Sequence, residues 1–207
     1  TVEENATILQ AARKLGIKIL TLCHFELDCF AVEHRLGSCR VCTVEISFNG
    51  RPQITTACNY PVRPGLKVWT NSEAAKEARR LAVELLMAQQ PHSEVLQQLA
   101  RKLGIEKPRF AAAPKECILC NLCTRACKEL VGQEAITFVT RQNGTEAGVV
   151  HVPEKCIGCD SCAYVCPTKA ITVEDVGDTR ILHTPSGDLK FKLKKCKVCG
   201  RYWAPEE

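Results

Sequence analysis

PKECILCNLCTRACKEL (114–130) and, after a spacer, PEKCIGCDSCAYVCPTKA (153–170) repeat the pattern CxxCxxCxxxC within one short stretch. Three closely spaced thiolates wrap one [4Fe-4S] cube, and a fourth, three residues on, points towards the neighbouring cube. The expected wiring is therefore crossed. Cys117, Cys120 and Cys123 share a first cube with Cys166, while Cys156, Cys159 and Cys162 share a second with Cys127. Soft thiolates select iron-sulfur clusters or zinc, and zinc ribbons are built from separated CxxC pairs, not from triple-plus-one runs. Disulfides are disfavoured because neighbouring cysteines in such a run are badly placed to pair. Matching segments follow the runs, AITFV at 135–139 and AITVE at 170–174, as an internal duplication would leave them. Lys128 stands after Cys127 where Pro167 follows Cys166. Between the runs, ITFVTRQNGTEAGVVHV predicts a strand pair turning at Asn143-Gly144.

Upstream lies a second constellation: Cys23, then Cys39 and Cys42 in GSCRVC, then Cys58 in TTACNYPV. A CxxC pair flanked by one distant thiolate on either side is a plant-type [2Fe-2S] site in outline, although a zinc ion can use the same four thiolates. The intervals differ from the plant form, with 15 residues between Cys23 and Cys39 and 15 more between Cys42 and Cys58. Gly37 lets backbone amides approach the sulfides. Around these cysteines the pattern predicts a strand at Val2, a helix capped by Thr7 and closed by Gly16, a hairpin turning at Asn49-Gly50, and a last strand near Leu66, Val68 and Trp69. A lone strand at Val2 needs an earlier partner, which is expected to precede Thr1 in the native chain. Cys29 is left over, as a replacement ligand or a small buried hydrophobe.

Residues 71–90 predict a helix with a Thr70/Glu73 capping box, an apolar face of Ala74, Ala78, Leu81, Ala82, Leu85 and Leu86, and Pro91 as its stop. A shorter helix follows from Ser93 to Gly104, and His92 between them reads as a capping or surface residue. In the tail, the lysines from Lys190 to Lys197 alternate with apolar residues, as on the wet face of a strand. Cys196 and Cys199 form a CxxCG knuckle there. This is half of a metal site, completed as a zinc ribbon or a further iron-sulfur site if two more cysteines lie beyond Glu207, and otherwise a redox-active or idle pair.

Fifteen cysteines and only 5% aromatic residues in 207 imply small modules that lean on inorganic clusters for their cores. No apolar run of spanning length and no leader pattern is present, and clustered cysteines fit a reducing cytoplasm. The formal charge of +5 is offset by clusters carrying roughly −2 each with their thiolates, so nucleic acid is not an expected partner. There is no dinucleotide fingerprint, no nucleophile beside a base and no open metal site, so no catalytic residue is assigned.

The markers GSCRVCTVE, TTACNYPV, LQQLARKLGI, CILCNLCTRAC and CIGCDSCAYVCPTKAI together make residues 1 to about 175 resemble a known family. It is the N-terminal iron-sulfur region of the large iron-sulfur subunit of complex I and of [FeFe]-hydrogenases. In size the chain is most similar to the small diaphorase-linked subunit of NAD-reducing hydrogenases. The expected α+β chain has four parts, the first three implied by the resemblance and the tail read from its own residues. These are a β-grasp [2Fe-2S] module (1–70), a helical linker (71–113), a bacterial-type double [4Fe-4S] module (114–178) and a basic tail with the knuckle (179–207). Relatives carry a His and three cysteines for another cluster in the linker. Here PHSEV runs straight into LQQLARKLGI, and the three cysteines are absent. The implied role is an electron-transfer subunit between a flavin- and NADH-binding subunit and a terminal hydrogenase, formate dehydrogenase or similar subunit. The alternative is the electron-input region of a longer catalytic chain.

Overall fold

The computed structural model describes residues 2–3, 6–24, 26–27, 30–31, 37–111, 115–139 and 148–206. Cys29 and the Asn143-Gly144 turn lie outside these residues. The chain divides into two compact units, Thr1–Ile118 and Leu119–Glu207.

In the first unit, α1 (Ile8–Lys14) starts at Thr7, whose side chain accepts from the Gln10 amide while the Gln10 side chain accepts from the Thr7 amide. This reciprocal pair satisfies two donors that a helix start otherwise leaves orphaned. Val2 and Glu3, expected to begin a strand, form none. Thr7 instead makes a single antiparallel bridge to Pro61. After the short pair β1 (Glu26–Leu27) and β2 (Phe30–Ala31), β3 (Thr43–Phe48) and β4 (Arg51–Thr56) form a hairpin. Asn49 and Gly50 turn it with φ of 52° and 76°, the left-handed pair that matches strand twist in a two-residue loop. β5 (Lys67–Trp69) pairs with the other edge of β3, giving the antiparallel order β4-β3-β5. Ile8, Leu9 and Ala12 of α1 pack with Val44 and Ile46 of β3 into one core, which also contains Cys42 and Cys58.

α2 (Glu73–Gln89) packs on β3, and α3 (Glu94–Lys102) packs on α2. Two expectations are corrected here. The N-cap is Ser72, whose hydroxyl accepts from the Ala75 amide at 3.2 Å, and not Thr70. The Thr70 carbonyl is instead taken by the Arg79 guanidinium. The buried face is Ala75, Arg79, Val83, Glu84, Met87 and Ala88, whereas Leu81 and Leu85 are 42% and 46% exposed. Apolar residues surround most of this helix, so periodicity alone does not select a side. The buried side carries Arg79, which also donates to the Ala75 carbonyl, and Glu84, held by a bidentate pair from Arg109 at 2.6 to 3.0 Å. Buried charges are tolerated when they are paired in this way.

In the second unit, α4 (Leu122–Arg125) runs into a π-helical turn at Ala126–Val131. β6 (Ile136–Val139) pairs antiparallel with β7 (Gly148–His151), and α5 (Ser161–Val165) packs on α4. β8 (Thr172–Val176), β9 (Thr179–His183), β10 (Leu189–Lys195) and β11 (Tyr202–Pro205) form an antiparallel meander in the order β11-β10-β9-β8. The sequence boundary expected at 178/179 therefore falls inside this sheet. Along β10 the lysines are exposed while Leu193 is buried, so the alternation is a wet and a dry face. No helix among the described residues is long and apolar enough to cross a membrane.

Candidate metal centres

The hairpin β3–β4 explains how cysteines far apart in sequence meet. Cys42 precedes β3 and Cys58 follows β4, so the Thr43 to Thr56 rung brings them to the same end of the ladder, where the Ala57 amide donates to the Cys42 carbonyl at 3.1 Å. α1 anchors this end, with the Leu9 amide on the Ala57 carbonyl and the Ile8 amide on the Tyr60 carbonyl, both at 2.9 Å. Cys23, Cys39, Cys42 and Cys58 are all buried, at 2%, 7%, 2% and 3% exposure.

They lie in two interacting pairs, Cys23 with Cys39 and Cys42 with Cys58. Its contact with Cys23 first, and then the amides of Val41, Cys23 and Leu22, lower the Cys39 thiol. The Cys58 thiol is also lowered, by Cys42 first and with help from the Gly37 amide. Cys23 and Cys42 are raised by the same contacts and by burial. Amides aimed at sulfur favour the thiolate form that binds metal, and they tune a cluster's potential. Gly37 has φ of +62°, and a Cβ there would lie 2.8 Å from Thr56 Oγ1 and 3.0 Å from Asn59 Nδ2. The approach of this backbone to Cys58 thus needs glycine.

The two cysteine runs share one backbone pattern. Leu119 and Asn121 in the first, and Gly158 and Asp160 at the equivalent places in the second, all have φ between 56° and 65°. Alternation with left-handed residues turns successive amides inwards, making the concave nests that hold anions and iron-sulfur clusters. Asn121 and Asp160 also sit at the starts of α4 and α5.

A cavity is lined by Cys127 of the first run together with Cys156, Cys159 and Cys162 of the second. Its remaining wall is largely apolar, including Val131, Ala135, Ile136, Ile157 and Leu182. The Ala135 amide donates to Cys127 Sγ at 3.2 Å. Burial first, then the neighbouring sulfurs Cys156 and Cys159, push the Cys162 thiol up to about 12, and the Cys156 thiol rises from the same kinds of cause. Four sulfurs facing one dry space repel one another as thiolates unless a cationic centre joins them.

The sheet of the tail closes one side of this loop. Gly158 has φ of +65°, and a Cβ on it would meet Phe191 at 2.7 Å and Pro205 at 3.0 Å. Arg180 of β9 reaches the Gly158 carbonyl at 3.3 Å and Asp160 at 3.4 Å, while gripping Asp175 at 2.8 and 2.9 Å. Asp175 and Asp160 raise its affinity for a proton, as does the neighbouring Cys159. Phe191, Pro205 and Arg180 carried no signal of this role in sequence, because each acts across a long loop.

Of the first set, Cys120 and Cys123 are buried while Cys117 and Cys166 are half-buried. Cys117 belongs to the first unit and the other three to the second. Cys196 and Cys199 sit at the β10–β11 turn, and His92 is exposed.

The donor sets fit iron-sulfur groups. In a [2Fe-2S] site each tetrahedral iron keeps two bridging sulfides and takes two thiolates, so two pairs of cysteines are the expected arrangement. Comparison with known families agrees: residues 1–73 match a 2Fe-2S iron-sulfur cluster binding domain, and residues 116–170 match a 4Fe-4S dicluster domain. The chain thus carries a 2Fe-2S-type and a 4Fe-4S-dicluster-type domain.

This iron-sulfur protein is 35% identical to the NADPH-Fe(3+) oxidoreductase subunit alpha of Geobacter sulfurreducens, over 81% of the chain and 22% of that relative. It is 31% identical to the NADP-reducing hydrogenase subunit HndD of Solidesulfovibrio fructosivorans, over 83% of the chain and 34% of the relative. With an NADH-quinone oxidoreductase subunit of Rhizobium meliloti the identity is 28%, over 82% of the chain and 22% of the relative. The chain thus spans between about a fifth and a third of the length of these curated relatives. Among solved structures, a chain of an NAD+-reducing [NiFe]-hydrogenase in the H2-reduced state matches with a TM-score of 0.66. The match has 28% identity and covers 82% of this chain and 81% of that one.

Proposed function

We propose that this protein is an electron relay carrying one [2Fe-2S] and two [4Fe-4S] clusters. In this reading the first module is a β-grasp ferredoxin that holds its cluster through Cys23 and Cys39 on one iron and Cys42 and Cys58 on the other. The second is a bacterial-type ferredoxin with crossed ligation, Cys117, Cys120, Cys123 and Cys166 on one cube and Cys156, Cys159, Cys162 and Cys127 on the other. The observation that carries it is the cavity in which Cys127 meets Cys156, Cys159 and Cys162 across a long stretch of sequence. When bound, thiolate-saturated clusters accept and release single electrons. The residues around them set the potential: amides from Gly37, Val41 and Ala135 stabilise charge on sulfur, and the apolar wall around Cys127 excludes water.

The relatives support a relay within NAD(P)H-linked oxidoreductase and hydrogenase systems. It receives or delivers electrons through a flavin-containing, NAD(P)H-binding partner on one side and a terminal catalytic subunit on the other, in the cytoplasm. A second reading is favoured by the greater length of the curated relatives: the same modules as the electron-input region of a longer catalytic chain. Anaerobic copurification of the native protein tests both. The relay reading predicts a short polypeptide whose clusters are reduced by NADH or NADPH only when a copurifying flavoprotein is present. A native polypeptide several hundred residues longer, reducing its own terminal substrate, supports the second reading. Clusters that no flavoprotein companion reduces contradict both.

A further inference from the structure

The relay leaves Cys196 and Cys199 unused, yet the β10–β11 hairpin shapes them as a ligand pair. The ladder runs through Leu193 to Pro205 and Lys194 to Ala204, then slips at Lys195, which pairs with Tyr202. Within the turn, the Cys196 amide donates to the Arg201 carbonyl at 2.8 Å, and the Gly200 amide donates back to the Cys196 carbonyl at 2.9 Å. Gly200 has φ of +73°, which closes the turn at no steric cost. The turn therefore gathers both cysteines at one end of the hairpin.

The surroundings leave room for further ligands. Lys194, Lys195 and Lys197 are exposed around the pair. Cys199 is exposed, Val198 is 96% exposed and Trp203 64%, so one side of the tip is open to another segment.

We propose that Cys196 and Cys199 are two of the four thiolate ligands of a zinc-class divalent ion, separate from the clusters of the relay. Binding forms two zinc-sulfur bonds and releases the two thiol protons, with no change of oxidation state. The other two thiolates have the same chemistry whether they come from elsewhere in the native polypeptide or from the knuckle of a second copy.

The test is elemental analysis of the native, cluster-loaded protein beside its C196S and C199S variants, with solution mass measured in parallel. The expected result is zinc in addition to iron in the wild type, falling below about a tenth of that value in both variants while iron and the reduced-cluster EPR signals stay unchanged. One zinc per chain in a monomer assigns the remaining ligands to the same polypeptide. One zinc per two chains, in a dimer that chelator dissociates, assigns them to a second copy. Wild-type protein that holds no zinc even after incubation with zinc salt overturns the proposal. So does zinc retained by both variants, or variants that lose iron instead of zinc. Cobalt substitution supplies a second readout, since the sulfur-to-cobalt charge-transfer band must disappear with either cysteine.

Discussion

Replacing Gly158 by alanine places one methyl group where the second cysteine run meets the tail sheet. The added Cβ would lie 2.7 and 2.8 Å from Phe191 ring carbons and 3.0 Å from Pro205 Cγ, on a backbone with φ of +65°. The left-handed conformation costs a non-glycine residue about 1 to 2 kcal/mol. Forcing a methyl into filled space costs about 1 to 3 kcal/mol more, giving roughly 2 to 5 kcal/mol together. For a unit of this size that corresponds to a fall of at least about 8 °C in the midpoint. The assay is anaerobic thermal unfolding of the holo-protein, followed by visible cluster absorbance and far-UV circular dichroism. A cycle with Phe191→Leu separates the two causes. In that background the packing share of the Gly158→Ala penalty shrinks and the backbone share, about 1 to 2 kcal/mol, persists. A Gly158→Ala protein that melts with the wild type refutes the reasoning. An undiminished penalty in the Phe191→Leu background refutes the part assigned to the tail sheet.

Further outcomes follow from the same geometry. Cys127→Ser removes the EPR signal of the cube held by the second run and spares the other, and Cys166→Ser does the reverse; the opposite pattern excludes crossed ligation. Arg180→Gln leaves Asp160 and Asp175 without their cation beside Cys159, so the midpoint potential of the second cube falls, whereas Asp175→Asn raises it. Potentiometric titration showing shifts of the same sign in both variants contradicts an electrostatic role. Asp188 first, and Glu174 with it, raise the pKa of His183. The resulting stabilisation of the β9–β10 hairpin is fully present below the unfolded value of about 6.5 and is lost as pH rises through the folded value. Amide protection factors in this hairpin, with the intrinsic base-catalysed rate divided out, are therefore larger at acidic than at alkaline pH by a margin that His183→Gln removes, and an unchanged margin counts against the pairing.

Much of the site was legible because cluster ligation is local. Both nests are written into seven-residue segments whose left-handed positions are occupied by Asn121, Gly158 and Asp160, residues tolerant of that conformation, and by Leu119. The Asn49-Gly50 turn was readable for the same reason. What stayed hidden depends on contacts across long loops. The equal intervals on either side of Cys39 and Cys42 do not say that Cys58 meets Cys42; the β3–β4 ladder decides that. The face of α2 was misread because Leu81 and Leu85 look more apolar than Arg79 and Glu84, yet the latter are buried by specific partners on Thr70 and Arg109. Alternation in LKFKLKK gave a strand but not the loop that Phe191 covers.

The central claim is that twelve cysteines hold three separate iron-sulfur clusters. Iron and acid-labile sulfide per chain, measured together with EPR of the dithionite-reduced native protein prepared without oxygen, tests it most directly. The expected values are about ten irons with as many sulfides, and signals resolvable into one [2Fe-2S] and two [4Fe-4S] centres. Zinc in place of iron at these cysteines, or iron well below ten with fewer than three centres, contradicts it.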